Sequence, residues 1–84
     1  MVIALTSYHY GSKMYFIVTH IIDWFEEYDN VTDDEGNPQQ IPYTKVELDD
    51  GETFDASETP EEIADMIRSE IADTAMLFGG KNAD

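Results

Sequence analysis

The apolar positions of the chain come first in two short runs. Residues 2–6 (VIALT) and 13–18 (KMYFIV) flank Tyr8-His9-Tyr10-Gly11-Ser12, a break that contains glycine. Two such runs around a turn-forming break predict a β-hairpin with a loop of several residues. Further along, residues 43–48 alternate. Tyr43, Lys45 and Glu47 fall on one face, and Thr44, Val46 and Leu48 on the other. Asp49-Asp50-Gly51 follows, then Glu52-Thr53-Phe54-Asp55-Ala56. Asp-Gly between alternating runs is a strong hairpin signal, and this one turns Val46, Leu48, Phe54 and Ala56 toward the core.

Residues 19–28 (THIIDWFEEY) fit two periods. Ile21, Trp24, Phe25 and Tyr28 stand at helical spacing, with Thr19 as a cap, whereas Ile22, Trp24 and Tyr28 share one face of a strand. Ten residues do not decide between them. Residues 29–42 (DNVTDDEGNPQQIP) are the longest polar stretch, and Asp33 to Pro38 is dense in turn formers, so 29–42 reads as a flexible acidic loop. After it comes a helix with strong start signals. Thr59 is the N-cap, Pro60 the first helical residue and Glu62 the capping-box partner, while Glu61 and Glu62 meet the positive end of the helix dipole. Ile63, Met66, Ile67, Ile71, Thr74, Ala75 and Phe78 form the apolar stripe. Gly79-Gly80 ends the helix, and residues 81–84 read as a frayed tail. These elements predict an α+β fold: a small curled antiparallel sheet of about five strands followed by one C-terminal amphipathic helix. No repeat or composition shift divides the chain, so 1–84 reads as a single domain.

Composition narrows the function classes. The chain has 84 residues, 19 Asp and Glu, 4 Lys and Arg, a net charge of -15 and no cysteine. A chain this short buries only about 60% of its unfolded surface, which leaves little room for a deep substrate cavity. The absence of cysteine removes disulfides, thiolate metal sites and thiol catalysis. No run approaches the ~20 apolar residues of a membrane span, and the first residues lack a basic n-region and a cleavage-type apolar run. A cytoplasmic setting fits these features. Lys13, Lys45, Arg68 and Lys81 are too few and too scattered to replace phosphate counterions, so direct nucleic-acid binding is excluded, and anionic membranes are disfavoured likewise. Ten aromatic residues and frequent Ile argue for a folded chain despite the acidity.

One order of motifs has a familiar form. A short first strand, a glycine turn and an aromatic strand lead to Ile21-Ile22-Asp23 and acidic Glu26-Glu27. Then come Thr44-Lys45-Val46-Glu47-Leu48-Asp49-Asp50-Gly51, Phe54, and Glu58-Thr59-Pro60-Glu61-Glu62-Ile63. This order resembles the FlbD-like family of small flagellar proteins and similar short phage proteins, over about two-thirds of the chain. The resemblance favours a turn at 19–21 and a strand at 22–28. The chain departs from the pattern by the segment 29–42 and by heavier acidity, and no functional residue carries across.

Candidate chemistry is sparse. Adjacent acids such as Glu26/Glu27 and Asp49/Asp50 offer carboxyl pairs. General acid–base work needs two carboxyls in a sheltered cleft with pKa values pushed apart, and neighbours on a turn or strand point into water. His9 and His20 lack further ligands at metal spacing, so both read as surface histidines. A calcium loop aligned on Gly36 places Asp33 and Glu35 correctly, but Val31 and Pro42 then fall at required acid positions. Nucleophile elbows, P-loops and dinucleotide fingerprints are missing. The sequence therefore predicts no catalytic residue, no metal and no cofactor.

The acids themselves are the best candidate feature. They fall into groups: Asp23, Glu26, Glu27 and Asp29; Asp33, Asp34 and Glu35; Asp49, Asp50, Glu52 and Asp55; and Glu58, Glu61, Glu62, Asp65, Glu70 and Asp73. Only Arg68 offers a pairing within the helix, with Asp65. A charge of -15 far exceeds the magnitude of roughly 2–8 suited to a small soluble domain. Solubility is the plain explanation. High-salt adaptation is another; scarce Lys fits it, while abundant Ile and Met and modest Ala do not. The third is imitation of a polyanion. Of the aromatic residues Tyr8, Tyr10, Tyr15, Trp24, Phe25 and Tyr28, most are expected in the core, with Tyr8, Tyr10 and one of Trp24 and Phe25 exposed as interface anchors. The leading expectation is a non-enzymatic inhibitor of phage type. It would be a monomer or a dimer in the host cytoplasm and occupy the basic site of a host nucleic-acid-binding protein, such as a CRISPR effector, restriction enzyme, repair glycosylase or polymerase. The phage setting rests on the resemblance and on small acidic inhibitors being common there. The alternative is an FlbD-like structural or regulatory adaptor that binds a protein through a sheet edge or aromatic patch.

Overall fold

The computed structural model describes residues 1–78, with side chains described through Ala72. Five strands and one helix follow in order: β1 (Val2–Thr6), β2 (Lys13–Ile17), β3 (Ile21–Thr32), β4 (Pro38–Leu48), β5 (Thr53–Ala56) and α1 (Pro60–Phe78). A single 3-10 turn, Val18–His20, joins β2 to β3. The fold is α+β. Its strands form two antiparallel sheets, a β1–β2 hairpin and a β3–β4–β5 meander. The two are stitched by an isolated Ser7↔Ala56 bridge. Beside it the Tyr8 N–H donates to the Asp55 carbonyl and the Ser57 N–H to the Thr6 carbonyl. The spatial order is thus β2, β1, β5, β4, β3, with β2 and β3 at the two edges.

Strand period two selects the core. Ile3 and Leu5 of β1, Val46 of β4 and Ala56 of β5 point inward and meet Ile63 of the helix; all five are buried. Phe16, Trp24, Leu48, Phe54, Met66 and Ile67 close around them. Thr44 is also fully buried, and its hydroxyl donates to the Glu58 carbonyl at 2.6 Å, so the polar group is satisfied. The helix begins as its sequence dictates. The Thr59 N–H donates to Glu62 Oε1 and the Glu62 N–H to Thr59 Oγ1, a reciprocal capping box. Trp24 Nε1 donates to the Pro60 carbonyl and pins the first turn of the helix to β3.

Three expectations are corrected. Residues 29–42 are not a flexible loop: β3 runs to Thr32 and β4 starts at Pro38, so only 33–37 turn. Backbone pairing extends both strands although neither face of this segment is covered, which is why no apolar period announces it. Pro38 and Pro42 lie where β5 no longer pairs with β4, so their missing donors leave no third strand unpaired. The helical stripe is shorter than expected. The sheet reaches only the first turns, and Ile71 is 53% exposed. Two aromatic residues expected in the core, Tyr15 and Tyr28, stand on the surface instead. The expected side-chain roles of Asp73, Thr74, Ala75 and Phe78, the Gly79-Gly80 cap and the 81–84 tail lie outside the described residues.

The result is an elongated molecule. Its radius of gyration is 16.4 Å, against about 12 Å for a compact chain of this length, and its extents are 63 × 24 × 20 Å. No helix among the described residues is long and apolar enough to cross a membrane.

Candidate functional site: an acidic β-ribbon

The β3–β4 ribbon carries the largest concentration of expected site residues. Along β3 stand Asp23, Glu26, Glu27 and Asp29, and at the tip Asp33, Asp34 and Glu35. No Lys or Arg occurs between Lys13 and Lys45, so Lys45, which pairs across from Phe25, is the single Lys or Arg of the ribbon and stands near its root. Asp49, Asp50 and Glu52 sit at the β4–β5 turn. That turn lies at the root of β3, where the Asp49 N–H donates to the His20 carbonyl. The ribbon is thus acidic from root to tip.

Several of these carboxylates already serve the fold. At the tip, Asp33 Oδ1 accepts the N–H groups of Glu35 and Asn37, and Oδ2 accepts from Gln39. Gly36 supplies the positive φ the turn requires. The hydrogen bond from Asn37 is the main reason Asp33 titrates below an ordinary aspartate, with that from Glu35 adding to it against a smaller opposing desolvation. Asp50 plays the same part in the second turn by accepting the Glu52 N–H, and Gly51 again takes a positive φ. Asp29 accepts the Tyr8 hydroxyl at 2.9 Å. Glu26 accepts the Tyr28 hydroxyl, which is the chief cause of the raised Tyr28 pKa. Asp49 pairs with His20 at 2.7 Å. Asp23, Glu27, Asp34, Glu35 and Glu52 have no side-chain partner among the described residues, and they are the carboxylates free to meet another molecule.

The helix acids form a separate group. Glu62 is held in the capping box, Asp65 pairs with Arg68, and Glu61 is free. With Glu58 and Glu70, Glu62 and Asp65 border an open groove of about 580 Å³ beside Val2, Ala4 and Met66. Glu58 itself is occupied, since it accepts both the N–H and the hydroxyl of Thr6.

Two expected anchors are corrected. Trp24 is not exposed; it packs half-buried against the core with its indole N–H satisfied. Tyr8 is half-buried too, stacked on Tyr43 with ring centroids 4.9 Å apart. Tyr10, at 88% exposure, fits the expectation of an exposed aromatic. Its ring neighbour His9, 6.3 Å away between centroids, belongs to a polar trio the sequence did not reveal. His9 Nε2 lies 2.7 Å from Asp55 Oδ2, and Lys45 Nζ lies 3.6 Å from Asp55 Oδ1. The His9–Asp55 pair fastens the 8–12 loop to β5. Among the described residues no group of three or more His, Asp and Glu is arranged to hold a metal ion.

One signal was present in the sequence and overlooked: every one of the 19 acids lies at or beyond Asp23. The structure turns this into geometry, because residues 1–22 are the β1–β2 hairpin and its exit. Comparison with protein-family models, with curated proteins and with solved structures gives no match.

Proposed function

We propose that the chain is a non-enzymatic inhibitor of phage type that acts in the host cytoplasm by filling the basic nucleic-acid-binding site of a host protein. The observation that supports this reading is the acidic β3–β4 ribbon, whose single Lys or Arg is Lys45 near its root. Four acids along β3 (Asp23, Glu26, Glu27 and Asp29) and Asp33 just past its end follow a rise of about 3.3 Å per residue, one per roughly 7 Å, against about 3.4 Å between phosphates along one DNA strand. That is near half the line charge of a single strand. It suits a cationic groove that tracks one backbone better than a surface that grips a full duplex. A two-stranded ribbon is also narrow enough to enter such a groove, and long-range attraction to cationic walls accelerates the encounter.

The test is capture of bacterial lysate proteins on the immobilised chain at low and high salt, followed by titration of each captured protein. A partner held by the ribbon loses affinity on the order of 10³-fold between about 50 and 200 mM salt, and an oligonucleotide competes it away. The combined substitution Glu27→Lys, Asp34→Lys and Glu35→Lys abolishes capture. Salt-insensitive binding, or binding that an oligonucleotide leaves intact, would remove the reading.

A further inference from the structure

We propose that β2 is a self-association edge, at which two copies of this chain pair antiparallel about a twofold axis through Tyr15. The inference is independent of the inhibitor reading. It starts from the difference between the two edges of the strand array. β3, at one edge, is guarded by Asp23, Glu26, Glu27 and Asp29 and by a register shift between Ile21 and Asp23, the features that keep edge strands from pairing further. β2, at the other, has none of these. Its only partner is β1, it contains no proline and no acid, and its single charge is Lys13 at one end.

The side chains around that bare edge are apolar and wet. The register Val2↔Ile17 and Ala4↔Tyr15 puts Val2, Tyr15 and Ile17 on one face of the hairpin. Their exposures are 47%, 72% and 50%. Met14, on the opposite face, is 49% exposed, so neither face of β2 is fully covered. A small domain that leaves four of five strand residues this open, with only Phe16 turned onto the core, has an unfinished sheet edge rather than scattered surface apolar groups.

Charge selects the occupant. At -15, two copies repel wherever their acidic surfaces meet. The hairpin belongs to residues 1–22, which hold no Asp or Glu, and the helix acids meet β2 only at Lys13, which lines their groove with Val2 and Ala4. It is the longest acid-free stretch of the sequence, and along it two copies can approach without setting acid against acid. The segment is also self-complementary. Antiparallel pairing about Tyr15 sets Tyr15 against its own symmetry mate and Met14 against Phe16, and it keeps Tyr15 and Ile17 of both copies on one continuous apolar face. Such an isologous contact closes at two and leaves both acidic ribbons facing outward.

Sedimentation of the full chain over a wide concentration range tests this. The expected result is a monomer of 9.6 kDa passing to a species of twice that mass. Dimerisation should tighten several-fold with added salt, because screening weakens the repulsion of the two acidic bodies. The variant Tyr15→Glu/Ile17→Glu places acid on the outward face of β2 and should remain monomeric with an unchanged circular dichroism spectrum. Because the chain lacks cysteine, Tyr15→Cys gives one thiol per copy. It should form a disulfide-linked dimer under mild oxidation, whereas Ile71→Cys on the helix should not. A wild-type chain that stays monomeric at every concentration and salt overturns the proposal. So does a dimer that survives Tyr15→Glu/Ile17→Glu, or equal cross-linking at both cysteine positions.

Discussion

Tyr8 donates its hydroxyl to the Asp29 carboxylate at 2.9 Å, and this contact ties the loop after β1 to the middle of the acidic ribbon. The phenol titrates above its ordinary value of 10.0, first because it is desolvated and then because the hydrogen bond to Asp29 holds its proton. A raised pKa in the folded state gives stability that is complete below pH 10 and is lost as pH rises through the folded pKa. Tyr8→Phe keeps the ring on Tyr43 and removes the strap. Amide hydrogen exchange at 29–31 should quicken several-fold while exchange in the helix stays unchanged, and the wild-type loss of stability above pH 10 should flatten. Unaltered exchange in the ribbon would deny the strap its role.

The contrast between this strap and the helix cap shows what the sequence could disclose. Thr59, Pro60 and Glu62 bond within one helical turn, so their pattern is complete in four consecutive letters and the structure matches it. Asp49-Asp50-Gly51 is local in the same way. The strands on either side of 33–37 are different. They are held by backbone pairing with both faces wet, and period two appears in a sequence only when one face is buried. Polar composition therefore read as loop where the chain is extended. Tyr8 to Asp29, His9 to Asp55 and Trp24 to Pro60 join residues far apart in sequence, and nothing local marks either partner. The acids were legible as a total. Which of them are free was not, because Asp33, Asp50 and Glu62 are spent on backbone N–H groups whose identity depends on the turn.

Asp33 makes the ribbon tip sensitive to acid. Its carboxyl is held below 3.8 chiefly by the Asn37 hydrogen bond, so its contribution is present above the unfolded value and is lost as pH falls through the lowered one. Amide resonances of Glu35 and Asn37 should follow a single titration below pH 3.8. Asp33→Ala should abolish that titration and speed exchange at 33–37. Asp33→Asn, which keeps an acceptor oxygen, should retain most of the turn without the titration.

The core makes a steeper demand. Ile63 is completely buried between the helix and the two sheets, so Ile63→Ala should cost about 2–5 kcal/mol. Thr44→Val preserves shape but leaves the Glu58 carbonyl without its donor, at a cost of roughly 1–3 kcal/mol. Thr59→Ala removes the cap for about 1 kcal/mol. Urea unfolding followed by the fluorescence of Trp24, the single tryptophan, checks all three, because its indole bonds to the first turn of the helix. The expected order of loss is Ile63→Ala first and Thr59→Ala last.

Free acids on the ribbon oppose folding, whatever they do for binding. Seven carboxylates against the single Lys45 of the ribbon repel one another, and the Debye length falls from about 30 Å at 0.01 M salt to about 10 Å at 0.1 M. The melting temperature should therefore rise with salt. Neutralising Glu27, Asp34 and Glu35 together as Glu27→Gln, Asp34→Asn and Glu35→Gln should raise it by a few degrees at low salt and blunt the salt response, since none of the three carboxylates serves a turn or cap. If the acidity were only for solubility, the neutralised chain would keep every interaction of the wild type. If the ribbon is the binding element, the same three changes stabilise the fold and weaken capture of a cationic partner by an order of magnitude or more. A melting temperature that falls on neutralisation would mean that these carboxylates are structural after all, and the ribbon would lose its claim to be the site.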